Sequence, residues 1–183
     1  MRQLRFGSLL AVVAAALLSS CGSSGERPST PQTYNMGERV TLGHIVYVVF
    51  ETQWLTHIGE GADARIPQHR FFLVRVSATN GYGTDVMVPN FSVEDDDGNS
   101  YPELSTGEGV PQYIGYLRNV KPAESQQGNA LFDAPPRHYK IKLTDETGEK
   151  IAYVDIPLSF VSESPDAPKV PGKQSPPAPG KKK

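Results

Sequence analysis

The sequence predicts an all-β fold of two packed antiparallel sheets, on three observations. Apolar and polar residues alternate at period two, as in Phe72, Val74, Val76 and Ala78 against Arg75 and Ser77. That period turns one face of a strand inward and the other outward. Glycine, proline and Asx residues that favour turns recur at short intervals. No stretch of the middle of the chain carries the apolar repeat of an amphipathic helix. Seven to eight short strands joined by such turns make a β-sandwich.

The 183-residue chain has a net charge of -2 and a single cysteine, consistent with one domain plus appendages. Residues 1–20 read as a signal peptide. Arg2 and Arg5 precede the apolar run Leu9–Leu18, which ends in Ser19-Ser20-Cys21; charge, apolar run and small residues in that order mark a secretory signal. The run is short for a membrane span, which needs roughly 20 apolar residues. Leu18-Ser19-Ser20-Cys21 resembles the bacterial lipobox, which implies lipid attachment at Cys21. Several acyl chains on one residue give stable membrane anchoring, at about 0.8 kcal/mol per buried methylene. An acylated Cys21 leaves no thiol for a disulfide, a metal site or nucleophilic catalysis. Residues 21–33, rich in Gly, Ser and Pro, read as a flexible tether spanning on the order of 20 Å.

The folding part is expected from 34 to 160. Arg39–Phe50 is β-branched and aromatic, and Phe72–Asn80 alternates. Val86–Val93 is interrupted by Pro89, which predicts two short strands or a crossing between sheets, because proline cannot donate to a central ladder. Asp95-Asp-Asp-Gly-Asn99 carries the Asp-Gly signal of a tight hairpin before Tyr101. Its three aspartates do not follow the calcium-loop spacing, so a turn is expected rather than a metal site. Ala130–Asp133, Tyr139–Leu143 and Ile151–Leu158 complete the strands, with a turn at Asp145–Glu149.

Residues 161–183 are rich in Pro and Lys and contain almost nothing that could enter a core. Disorder with polyproline II character is expected. From Glu163 onward the net charge is +3, whereas Tyr34–Phe160 holds ten Lys and Arg against seventeen Asp and Glu, a net of -7. The tail is either a solubilising end or a contact for anionic headgroups and wall polymers. An acidic body without a basic aromatic surface argues against nucleic acid.

Phe72-Leu-Val-Arg-Val-Ser-Ala-Thr-Asn80, Phe91–Tyr101, Val120-Lys-Pro122 and Gly128–Pro135 resemble, in that order, the signatures of a bacterial lipoprotein domain family of unknown function. That resemblance covers roughly Met36–Leu158. It implies an immunoglobulin-like, telokin-like sandwich similar to that of a mycobacterial secreted immunoprotective antigen, and it implies address rather than chemistry. The chain departs from the family pattern in an insertion, Glu103–Asn119, which places Tyr113, Ile114, Tyr116 and Leu117 in an otherwise polar loop. Such residues mark either a contact surface or a lid folded back on the sandwich. Trp54, in the loop expected after the first strand, poses a similar choice between a plug for the sandwich and an anchor for a partner.

The chain has no Gly-x-Ser-x-Gly elbow, His-Glu-x-x-His pair, phosphate-cradling glycine loop or zinc-type cysteine set, and no enzymatic activity is expected. No cofactor is expected either. A small-ligand or metal carrier of the envelope is the alternative: His57, Glu60 and Asp63 share one loop, His69 follows, and Met87 could supply a thioether suited to copper. Clustered methionines would be expected of such a carrier, and the domain has only Met36 and Met87. The sequence thus points to a lipid-anchored binding module facing the periplasm or the exterior. Its expected partner is an envelope or extracellular protein, with Trp54, Tyr113 and Tyr116 as candidate contacts.

Overall fold

The computed structural model describes residues 30–159. Cys21 and the segments expected to be the signal peptide, most of the tether and the Lys-rich tail lie outside them. Eleven strands form the domain: β1 (Gln32–Asn35), β2 (Arg39–Leu42), β3 (Ile45–Leu55), β4 (Phe71–Asn80), β5 (Val86–Val88), β6 (Ser92–Asp95), β7 (Ser100–Pro102), β8 (Arg118–Val120), β9 (Ser125–Asp133), β10 (Tyr139–Thr144) and β11 (Ile151–Ile156). One sheet runs β1-β11-β10-β6-β7, the other β2-β3-β4-β9, and β5 and β8 form a separate two-stranded ribbon. All pairings are antiparallel except β1 with β11.

The expected sandwich is present, with more strands than the seven to eight predicted. The apolar run from Arg39 is two strands, because Gly43 at φ +55 turns the chain between them. Glycine adopts that backbone conformation without the steric cost a side chain would bring. β3 does not end at Phe50 either. A bulge between Val49 and Glu51 shifts its register against β4, the inward phase resumes at Thr52, and Trp54 therefore lies in a strand rather than in a loop. β1 starts at Gln32, two residues before the expected boundary of the domain.

Pro89 divides Val86–Val93 as expected: β5 joins the ribbon and β6 the five-stranded sheet. The two predicted turns form by a shared device. Asp95 accepts from the N–H groups of Asp97 and Asn99 at 3.1 and 2.8 Å through Oδ1. Asp145 accepts from those of Glu149 and Lys150 at 2.9 and 3.2 Å. Each aspartate mimics a backbone turn and spares these amides from going unpaired.

Between the sheets lies one apolar core. The inward residues of β4 (Phe72, Val74, Val76, Ala78) meet Val93, Tyr139, Ile141, Leu143, Val154 and Ile156 of the opposite sheet. A second, smaller cluster sits on the outer face of the four-stranded sheet, where Phe71, Leu73 and Leu131 pack with Ile58 and Val110. That sheet is therefore covered on both sides at one end, and the insertion provides part of the outer cover.

A candidate binding face at the insertion

The insertion folds back. Val110 enters the outer cluster, with Leu104 and Tyr113 partly buried against it, while Ile114 reaches the main core. The backbone at 112–114 lies along β9: Asn129 N–H donates to Gln112 O at 2.8 Å and Ile114 N–H to Asn129 O at 3.1 Å. Arg65 crosses from the β3–β4 connection and donates to the carbonyls of Glu108 at 2.6 Å and Thr106 at 3.1 Å. Two residues are tolerated only because they lack side chains. A Cβ on Gly107 would overlap the Tyr113 ring, and one on Gly128 would run into Gln112 O and stand 2.9 Å from the Ile114 backbone. Burying a Val or Ile side chain stabilises by about 1.5–3 kcal/mol, so Val110 and Ile114 together hold the insertion down by roughly 3–6 kcal/mol.

Both ends of the insertion meet in a buried ion pair. Glu103 and Arg118 have fully buried side chains. Arg118 Nη2 donates to Glu103 Oε1, its Nε to Gly115 O at 2.6 Å and its Nη1 to Pro89 O at 3.2 Å. The guanidinium lies 4.5 Å from the centre of the Phe91 ring, a cation–π geometry. The other Glu103 oxygen accepts from Phe91 N–H at 3.1 Å. Burial pushes the Glu103 carboxyl above the usual glutamate range, against the opposing pull of Arg118 and the Phe91 N–H. No buried side-chain polar atom among the described residues lacks a partner.

β8 carries this anchoring to the surface. Side chains alternate across a strand, so with Arg118 and Val120 buried, Asn119 points outward, and Leu117, in the bend just before β8, is exposed as well. Met87, paired with Asn119 across the ribbon, shares that face. Leu117 is 82% exposed and Met87 54% exposed, and Tyr116, next to Leu117 in the chain, is half-buried. The ribbon presents apolar side chains to solvent on a backbone that a fully buried arginine fixes.

The residues singled out by sequence separate accordingly. Trp54 stacks on Phe72 at 4.1 Å between ring centres and leans on Tyr139 at 6.1 Å, half-buried at the margin of the core. Tyr113 is half-buried, its hydroxyl donating to Leu104 O at 3.0 Å, and burial pushes that hydroxyl above the usual tyrosine range. Tyr116 is half-buried and precedes the exposed Leu117 in the chain. The metal candidates do not converge: His57 pairs with Thr56, His69 faces Asp133 at 3.5 Å, and Met87 is on the ribbon. Among the described residues no three His, Cys, Asp or Glu side chains are grouped to hold a metal ion. Sequence reasoning named Leu117 but missed the Glu103–Arg118 pair that positions it. A charged residue at each end of an apolar insertion was the available signal.

Residues 34–152 match the model of a family described as a domain of unknown function, DUF4352. The chain belongs to the DUF4352 family. Its sandwich is similar to three solved structures. The yjhA protein of Bacillus subtilis is 14% identical, with a TM-score of 0.54 over 68% of this chain and 99% of that one. MPT63, a secreted protein of Mycobacterium tuberculosis, is 18% identical, with a TM-score of 0.51 over 69% and 97%. A candidate lipoprotein of Bacillus subtilis, ycdA, is 14% identical, with a TM-score of 0.50 over 66% of this chain and 38% of that larger one. At these identities the likeness is one of fold. No curated protein matches the chain. Among the described residues of this DUF4352 protein, no helix is long and apolar enough to cross a membrane.

Proposed function

We propose that this chain is an exported, lipid-anchored and non-catalytic binding module, and that it engages a protein partner through the outward face of the β5–β8 ribbon. The observation that carries this reading is Leu117, 82% exposed next to a fully buried Arg118. A large apolar side chain on a backbone pinned by its neighbour spares a partner the cost of ordering that backbone, which favours association. Met87 adds a second exposed apolar side chain on the ribbon, and Tyr116, next to Leu117 in the chain, is an aromatic of the kind enriched at interfaces. The address rests on the lipobox-like Leu18–Cys21 and agrees with the presence of a secreted protein and a candidate lipoprotein among similar folds.

The test is crosslinking of the acylated protein in intact cells, comparing the native chain with the double variant Leu117→Ser, Met87→Ser. A discrete crosslinked species that is lost in the double variant supports the ribbon as the binding face. Capture that is unchanged in the variant refutes it. In the same cells Cys21→Ala abolishes lipid labelling, and undiminished labelling of that variant contradicts the anchor.

A further inference from the structure

At the end of the sandwich where β6 turns into β7, four aspartates from two elements surround two cations. His138, the residue before β10, has both ring nitrogens against carboxylates. Nδ1 lies 3.0 and 2.9 Å from the two oxygens of Asp96 in the β6–β7 turn, and Nε2 lies 2.9 Å from Asp155 Oδ1 on β11. Arg137 is already committed, with Nη1 3.0 Å from both Asp95 Oδ2 and Asp97 Oδ2. Asp95 is further tied to the Asn99 side chain. The cation next along the strand, Lys140, pairs in register with Glu94 on one side and Asp155 on the other.

A neutral imidazole has one N–H and one lone pair, whereas the cation has two N–H groups. Only the cation can donate to Asp96 and Asp155 together. In the neutral ring one nitrogen presents a lone pair to a carboxylate, and that contact turns repulsive. Asp96 is the carboxylate free to leave, since its side chain is 67% exposed in a turn while Asp155 is fixed in a strand at 36%. We infer that His138 is a proton-operated clamp joining the β6–β7 turn to β11, closed when the imidazole is cationic and released on the turn side when it is neutral.

The direction of control follows from the surroundings. The hydrogen bond to Asp96, opposed by partial burial and aided by the Asp155 charge, holds His138 above the ordinary histidine value. A raised value in the folded state means that the clamp's contribution is fully present below the ordinary value of about 6.5 and is lost as pH rises through the higher folded value. Release leaves a free carboxylate at the rim of an open depression of about 450 Å³, lined also by Pro136, Arg137 and Leu158. Alkalinisation therefore makes that rim more anionic and looser. This inference is independent of the ribbon and its partner.

The experiment is an NMR titration of the full chain that follows the His138 ring protons alongside hydrogen-exchange protection at Asp97 and Gly98. The His138 midpoint is expected above the ordinary histidine value in the native chain and lower in Asp96→Asn and in Asp155→Asn. Protection in the turn should fall across the same midpoint, by up to tenfold for each pH unit that the midpoint is raised. In His138→Gln the turn's protection should show no step. A His138 midpoint at the ordinary value, or turn protection that ignores it, overturns the clamp.

Discussion

Replacing Arg118 with Met tests the claim that the insertion is pinned at its ends. The change removes the donor to Glu103 together with the donors to Gly115 O and Pro89 O and the contact with the Phe91 ring. Glu103, with no exposed side-chain surface, keeps only the Phe91 N–H. Removing one partner of a buried ion pair costs about 3–5 kcal/mol, mostly because the other charge is left unpaired. For a domain of this size that lowers Tm by roughly 10–20 °C. Replacing both residues with Met removes the orphaned charge as well. The double variant should then be more stable than the sum of the single changes predicts by about 2 kcal/mol, within the range seen for contacting residues. It should not recover fully, because two carbonyls still lose their donor. Urea unfolding followed through Trp54, the sole tryptophan, measures all three variants. An Arg118→Met cost under about 1 kcal/mol, or strict additivity in the double variant, refutes the argument.

Gly128→Ala should cost about 1–3 kcal/mol, as overpacking does. The new methyl group meets Gln112 O and the Ile114 backbone, so faster amide exchange at Ile114 and Asn129 should accompany the loss. Acid stability should depend on Asp145. Burial pushes its carboxyl up, but the N–H groups of Lys150, Glu149 and Gly148 and the Thr147 hydroxyl outweigh burial and hold it below the usual aspartate range. A lowered value contributes stability that is present above the unfolded value of about 3.9 and is lost as pH falls through the folded one. Asp145→Asn should flatten the acid limb of a stability profile measured by urea unfolding, and an unchanged limb would show that the turn does not depend on the charge.

The sheets were legible because period two survives in β6, β10, β11 and the second half of β4, each buried on one face and only partly buried on the other. The turns at Asp95 and Asp145 were legible because their geometry is local. What could not be read depends on contacts distant in sequence. The bulge that carries β3 on to Trp54 is visible only against β4. Leu73 and Leu131 occupy positions that alternation assigns to solvent, and they are buried because Ile58 and the insertion's Val110 cover them. Glu103 and Arg118 read as surface charges, since residues of their type are rarely buried unless paired, and no pairing across fifteen positions is written in either one's neighbours. Of the candidate contacts, Trp54 and Tyr113 were selected for residue type, and type does not distinguish an aromatic that packs from one that is presented.

That distinction rests on where the backbone is held. Trp54 and Tyr113 spend their apolar surface on Phe72, Tyr139 and the outer cluster, so a partner could gain from them only by first displacing those contacts. Leu117 has made no such commitment, and its neighbour Arg118 cannot move without breaking a buried ion pair. Leu117, in the bend just before β8, stands exposed beside that buried residue. A ribbon of only three residues per strand would be too short to hold such a face by backbone pairing alone. Val86, Val88 and Val120 on its inner side, each 5% exposed or less, supply the remaining attachment. The insertion is thus neither a loose lid nor a wholly exposed contact loop: most of its apolar surface is spent on holding a short strip of it still in water.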